Sequence, residues 1–132
     1  IGAAPAGCAN STGAGAALAG LGTTSVADDL FFLAGSGMPP SVLTVLFMGT
    51  AATSTAITFA GAGLRCIDGT LKRVTTRNSN QAGAIWYGPT LGPVGGWNAG
   101  ETRHFQAFYR NPSGPCGASF NVSNAVSVLF VP

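Results

Sequence analysis

The sequence predicts an all-β domain: a β-sandwich or jelly-roll-like barrel of about eight or nine short antiparallel strands, with an extended N-terminal arm. Three observations predict it. Short apolar runs rich in β-branched and aromatic residues recur along the chain. Twenty glycines and eight prolines in 132 residues separate those runs with turns. No helical periodicity is sustained over three turns, and glycines at 13, 15, 20 and 22 break the one Ala-rich stretch that starts like a helix.

The length fits a single domain over 1–132 with one modest core. Residues 1–27 carry no charge and are rich in Ala and Gly, so they read as an arm with small side chains, a candidate strand-donating segment. A strand is expected at 29–33, then a loop set by Gly35, Gly37, Pro39 and Pro40. Residues 42–48 have the length and β-branching of a buried strand, ended by Gly49. A strand at 56–59 leads through Gly61-Ala62-Gly63 into another at 64–67. Asp68-Gly69 is a tight-turn pair between two apolar runs, so 64–67 and 70–77 are expected to form a hairpin.

A polar loop at 78–83 precedes a short strand at 84–87. Residues 88–100, with two prolines and five glycines, must be loop. Residues 102–110 alternate: Phe105, Ala107 and Tyr109 point one way, Thr102, His104, Gln106 and Phe108 the other. A turn at 111–117 is followed by strands at 119–122 and 125–131, the last apolar on both faces.

Charged residues make up only 8%, against roughly 25% in typical soluble domains. Such a chain covers its surface with uncharged polar groups or buries that surface against something else. Residues 1–64 carry −2 and residues 65–132 carry +4, too small an excess for a nucleic-acid footprint. Residues 41–60 lack charge, but seven Ser/Thr residues, Gly49 and the lack of basic flanks are unlike a membrane span. The first residue is Ile1 rather than Met, which reads as a processed chain with a secretory signal removed.

Cys8, Cys66 and Cys116 include no C-x-x-C, and the single histidine cannot complete a zinc site with them. The reading is a Cys66–Cys116 disulfide in an oxidising compartment. Cys8 is then free and buried, separated from a lost partner, or paired between chains.

The motifs F-A-G-A-G-L-R-C at 59–66, Q-A-F-Y-R-N-P at 106–112, Cys116 and F-N-V-S-N-A-V at 120–126 are accompanied upstream by G-C-A-N-S at 7–11. Together they resemble an uncharacterised C-terminal β-domain family of large secreted proteins of environmental bacteria. The resemblance covers nearly the whole chain and implies secretion and pairing of Cys66 with Cys116. Family members often carry further cysteines before G-C-x-N-S, which this chain lacks, so the partner of Cys8 stays open. The family's G-D-G aspartate is Ala62 here. If that aspartate binds a cation in relatives, the site is lost in this chain. The resemblance brings no established activity.

Four acidic residues leave little carboxylate chemistry. Adjacent Asp28 and Asp29 face apart in a strand, Asp68 suits a turn, and Glu101 precedes a strand. His104 is the only histidine, and no G-x-S-x-G elbow accompanies it, so a paired or solvated strand histidine is the reading. Gly13-x-Gly15 and Gly61-x-Gly63 are not completed into nucleotide loops. Trp86, Tyr87 and Trp97 flank the Gly/Pro-rich loop and are candidate glycan contacts, while Asn10 and Asn121 match the glycosylation sequon. Arg65 and Arg110, close in sequence to the two disulfide cysteines, read as ion-pair or carbonyl-capping residues.

The expected function is therefore that of an extracellular or cell-surface structural protein, not an enzyme and without cofactor or metal. Copies of itself are its expected partners, in a filament or surface layer built by strand addition. The alternative is a carbohydrate-binding or anchoring module of a larger secreted protein.

Overall fold

The computed structural model describes residues 16–59, 63–110 and 120–132. Its elements are β1 (Ala17–Leu21), β2 (Phe32–Ser36), β3 (Leu43–Gly49), β4 (Ala51–Phe59), β5 (Gly63–Asp68), β6 (Lys72–Asn78), β7 (Ile85–Tyr87), the single-turn α1 (Gly92–Gly95), β8 (Thr102–Arg110) and β9 (Phe120–Leu129). The fold is all-β, as the sequence predicts. A three-stranded sheet, β1-β2-β7, packs on a four-stranded sheet, β6-β3-β8-β9, and β4 and β5 form a two-stranded ribbon. All these pairings are antiparallel. In the sandwich β1 lies along β9 and β7 along β6.

The core follows from strand alternation. Phe105, Ala107 and Tyr109 are fully buried, and their register partners on β3 are Met48, Leu46 and Thr44. From the other sheet Leu18, Leu33, Ile85 and Tyr87 meet them. Trp97 stacks on Phe130 at 4.2 Å and meets Phe105 edge-on at 5.7 Å, while Phe31 meets Phe130 edge-on at 5.6 Å. Side chains buried to this degree contribute about 1.5–3 kcal/mol each. The opposite face of the four-stranded sheet is covered in part by β5, whose Ile67 lies with Phe47, Leu71, Phe108 and Val122 around an apolar recess of about 50 Å³.

The expected hairpin of 64–67 with 70–77 does not form. β5 pairs with β4 and β6 with β3. Met48 is opposite Lys72 and Ala51 opposite Asp68, so residues 43–59 pair with residues 63–78 as one long ribbon that bends at a corner. Asp68-Gly69 sits at that corner, not at a hairpin tip. Gly69 supplies a positive φ of 76°, and Thr50 Oγ1 accepts the Thr70 N–H at 2.9 Å. The conformational freedom that makes Asp-Gly a hairpin signal serves a sheet-to-sheet bend equally well.

Other boundaries shift for local reasons. The strand expected at 29–33 begins at Phe32, because Asp29 adopts a φ of 52° in a turn and accepts the Gly92 N–H on its Oδ1 at 2.9 Å. The two strands expected at 119–122 and 125–131 are one strand, β9, with a bulge opposite Ala107. The loop at 88–100 holds the one turn of α1.

The arm expected over 1–27 is in part a strand of this domain. Residues 17–21 are β1, paired along their length with β2. The remainder up to residue 15, with Cys8 and Asn10, lies outside the described residues, as does Cys116 of the expected disulfide.

Candidate functional site

Where two sheets pack, their edges meet along two seams, and in this protein the seams differ. At the β7/β6 seam the buried Tyr87 Oη donates to Thr44 Oγ1 at 2.6 Å, and Thr44 Oγ1 donates to the Arg77 carbonyl at 2.7 Å. Arg77 Nη1 returns across the seam to the Trp86 carbonyl at 3.0 Å. Burial pushes the Tyr87 hydroxyl up to about 12, against smaller opposing effects of the Thr44 hydrogen bond and the Arg77 charge. Hydrogen bonds thus tie this seam from core to surface.

At the β1/β9 seam one side chain does the joining. The β9 bulge directs Asn124 toward β1, as bulges re-aim side chains. Asn124 Oδ1 accepts the Leu18 N–H at 2.7 Å, and its Nδ2 donates to the Leu18 carbonyl at 3.1 Å. A side-chain amide here takes the place of a neighbouring strand's peptide group. Ser123 supports the bulge, its Oγ accepting the Ala107 N–H at 2.9 Å, while Gln106 Nε2 donates to the Ser123 carbonyl at 2.7 Å.

Beyond Leu18 the seam opens over Gly20 and Gly22, and it closes again where the Val131 N–H donates to the Thr24 carbonyl at 3.0 Å and the Val26 N–H to the Val131 carbonyl at 2.8 Å. A groove of about 260 Å³ runs between β1 and β9, lined by Gly20, Gly22, Phe31, Val126, Ser127 and Leu129 among others, none of them charged. Alternate residues of a strand turn their peptide groups the same way. Gly20 therefore turns its N–H and C=O toward β9, as Leu18 does, and into the groove.

The outer face of the three-stranded sheet is also without charge. Ala17, Ala19 and Leu21 of β1, Phe32, Ala34 and Ser36 of β2 and Trp86 of β7 share it, with Ala19, Ala34 and Trp86 in one row across the strands. Trp86 is 52% and Leu21 46% exposed. An antiparallel sheet with one solvated face ordinarily alternates apolar-in with polar-out.

The three candidate glycan aromatics do not come together. Trp86 is on the surface, but Tyr87 and Trp97 are core residues at 0% and 5% exposure, so neither can stack on a sugar ring from solvent. Asn121 is in β9, opposite Tyr109. Cys66 is in β5, opposite the bulged stretch of β4.

The polar side chains outside the two seams make short contacts within the fold. His104 Nδ1 lies 2.7 Å from Ser127 Oγ, and partial burial with the adjacent Arg103 charge holds the ring below the usual imidazole range. Glu101 accepts the Asn98 N–H at 2.7 Å and pairs with Arg103 at 3.1 Å; those contacts, Asn98 first, hold its carboxyl below the usual range. Among the described residues no three His, Cys, Asp or Glu side chains gather into a metal site. No helix among them is long and apolar enough to cross a membrane.

Sequence reasoning missed Asn124, Leu18, Gly20 and Thr44. The available signal was the polar pair Ser123-Asn124 inside an apolar strand. Against protein-family models, curated proteins and solved structures, the chain finds no match.

Proposed function

We propose that this protein is an extracellular, non-enzymatic structural subunit that self-assembles into a filament or surface layer through strand addition. The observation that carries the reading is the uncharged outer face of the three-stranded sheet, with Leu21 and Trp86 exposed, running into the open β1 edge at Gly20. Single exposed apolar residues are ordinary; a charge-free sheet face beside an open strand edge is the composition of an interaction surface. A charged fraction of 8% supports the same reading, and the resemblance to a secreted β-domain family supports the location. Electron microscopy of the purified full chain tests it: regular polymers or sheets are expected, and uniform single particles of 13.1 kDa at high concentration would contradict it.

A second reading rests on Trp86 alone. Its exposed ring, flanked by Ala34 and Ala19 on a flat, neutral face, suits stacking on an uncharged polysaccharide. Binding to insoluble neutral polysaccharide that disappears on Trp86→Ala would favour this reading; no binding to any such polymer would leave assembly as the function.

A further inference from the structure

We infer that the groove between β1 and β9 is an acceptor for an added strand, and that its occupant is the uncharged segment preceding β1 in a second copy of this chain. The inference rests on the self-assembly reading and names its two halves.

The acceptor is identified by comparing sheet edges. The outer edge of β6 carries Lys72, Arg73 and Arg77, all exposed, and edge cations discourage pairing with another strand. Arg77 also occupies the Trp86 carbonyl of β7 with its guanidinium. β9 faces β1, and the Asn124 amide holds that pair at Leu18. Of the four edges that meet at the two seams, the stretch of β1 around Gly20 combines an uncharged edge, a main chain turned outward and a groove beside it. The groove also has little side-chain bulk on its β1 wall. A Cβ added at Gly20 would lie 3.0 Å from the Phe31 ring and 3.6 Å from Val126.

The donor is identified by chemistry and reach. At least fifteen residues precede Ala16, none of them charged, and residues 6–14 contain no proline, only Ala, Gly, Cys, Asn, Ser and Thr. Small neutral side chains suit a narrow neutral groove, and fifteen extended residues span about 50 Å. The groove favours a neighbour's segment over the chain's own. A segment folding straight back onto its own β1 would meet Leu18 first, where Asn124 already holds the edge. A neighbour's segment reaches Gly20 from the solvent-facing side of the groove, between the Asn124 amide at one end and the Thr24 and Val26 hydrogen bonds to Val131 at the other. One donor and one acceptor per copy, on different parts of the subunit, give a head-to-tail contact that propagates.

The test uses two full-length variants, both in a Cys8→Ser background so that no interchain cross-link contributes. Gly20→Val closes the acceptor and leaves the donor. Ala9→Pro/Ser11→Pro spoils the donor, since proline cannot serve inside a paired strand, and leaves the acceptor. If Gly20→Val does not give a folded amide spectrum, Leu129→Arg at the exposed groove mouth replaces it. By sedimentation, each variant alone is expected to be monomeric while the parent polymerises, and a mixture of the two is expected to form a one-to-one dimer that grows no further. A polymerising parent whose variants also polymerise, or whose mixture stays monomeric, overturns the donor and acceptor assignment while self-assembly stands. A monomeric parent overturns the self-assembly reading itself, and this inference with it.

Discussion

Tyr87 Oη and Thr44 Oγ1 lie 2.6 Å apart in the buried seam between the two sheets, and through Thr44 the bond continues to the Arg77 carbonyl. Tyr87→Phe removes the donor and leaves Thr44 its bond to Arg77. The expected cost is about 1–2 kcal/mol, read as a lower urea midpoint at unchanged m-value.

The same hydroxyl gives a pH dependence. Its folded value of about 12 stands above its unfolded value of about 10, so only the unfolded chain ionises at this position between those limits. The stabilisation is complete below pH ~10 and is lost as pH rises through the folded value, by an amount on the order of 3 kcal/mol. Urea midpoints measured from pH 9 upward should fall more steeply in the wild type than in Tyr87→Phe, and the two should cross within the window of about 2 pH units between the unfolded and folded values.

Asn124→Ala leaves both peptide groups of Leu18 without the amide that satisfies them. A loss of about 2–4 kcal/mol is expected for two buried groups left unpaired. Hydrogen exchange should localise the effect, with the Leu18 amide accelerating more than the amides of β3.

Trp97 and Trp86 should respond in opposite ways. Trp97 is stacked on Phe130 in the core, so Trp97→Ala is expected to cost about 3–5 kcal/mol by thermal or urea unfolding. Trp86→Ala should change stability by no more than about 0.5 kcal/mol and should instead weaken assembly, measured by light scattering against concentration.

Gly69→Ala tests the corner of the long ribbon. Its φ of 76° strains any residue with a Cβ, and that Cβ would run into Thr50 Oγ1. A loss of at least 1–2 kcal/mol, roughly the cost of a left-handed residue, is expected in the unfolding midpoint.

Part of this architecture is legible in the sequence because strand alternation is a local property. Residues 102–110 name Phe105, Ala107 and Tyr109 as one face, and the structure buries all three. Pairing is less legible. Asp68-Gly69 specifies a backbone bend, and a bend at a sheet corner uses the same dihedral angles as a hairpin tip. The Asn124 clamp joins residues 106 apart in the chain, beyond the reach of any local pattern. The burial of Trp97 is hidden for another reason. The glycines around it announce a loop, but only the fold shows that Gly95 leaves room for the indole ring, which a Cβ there would strike.

Amide hydrogen exchange at Gly20, followed as the concentration of the full chain is raised, tests assembly through the β1 edge most directly. Assembly through that edge predicts that Gly20 becomes protected as polymer forms, while amides on the Lys72 and Arg73 edge of β6 keep their monomer rates. A Gly20 exchange rate that stays the same at every concentration would contradict it.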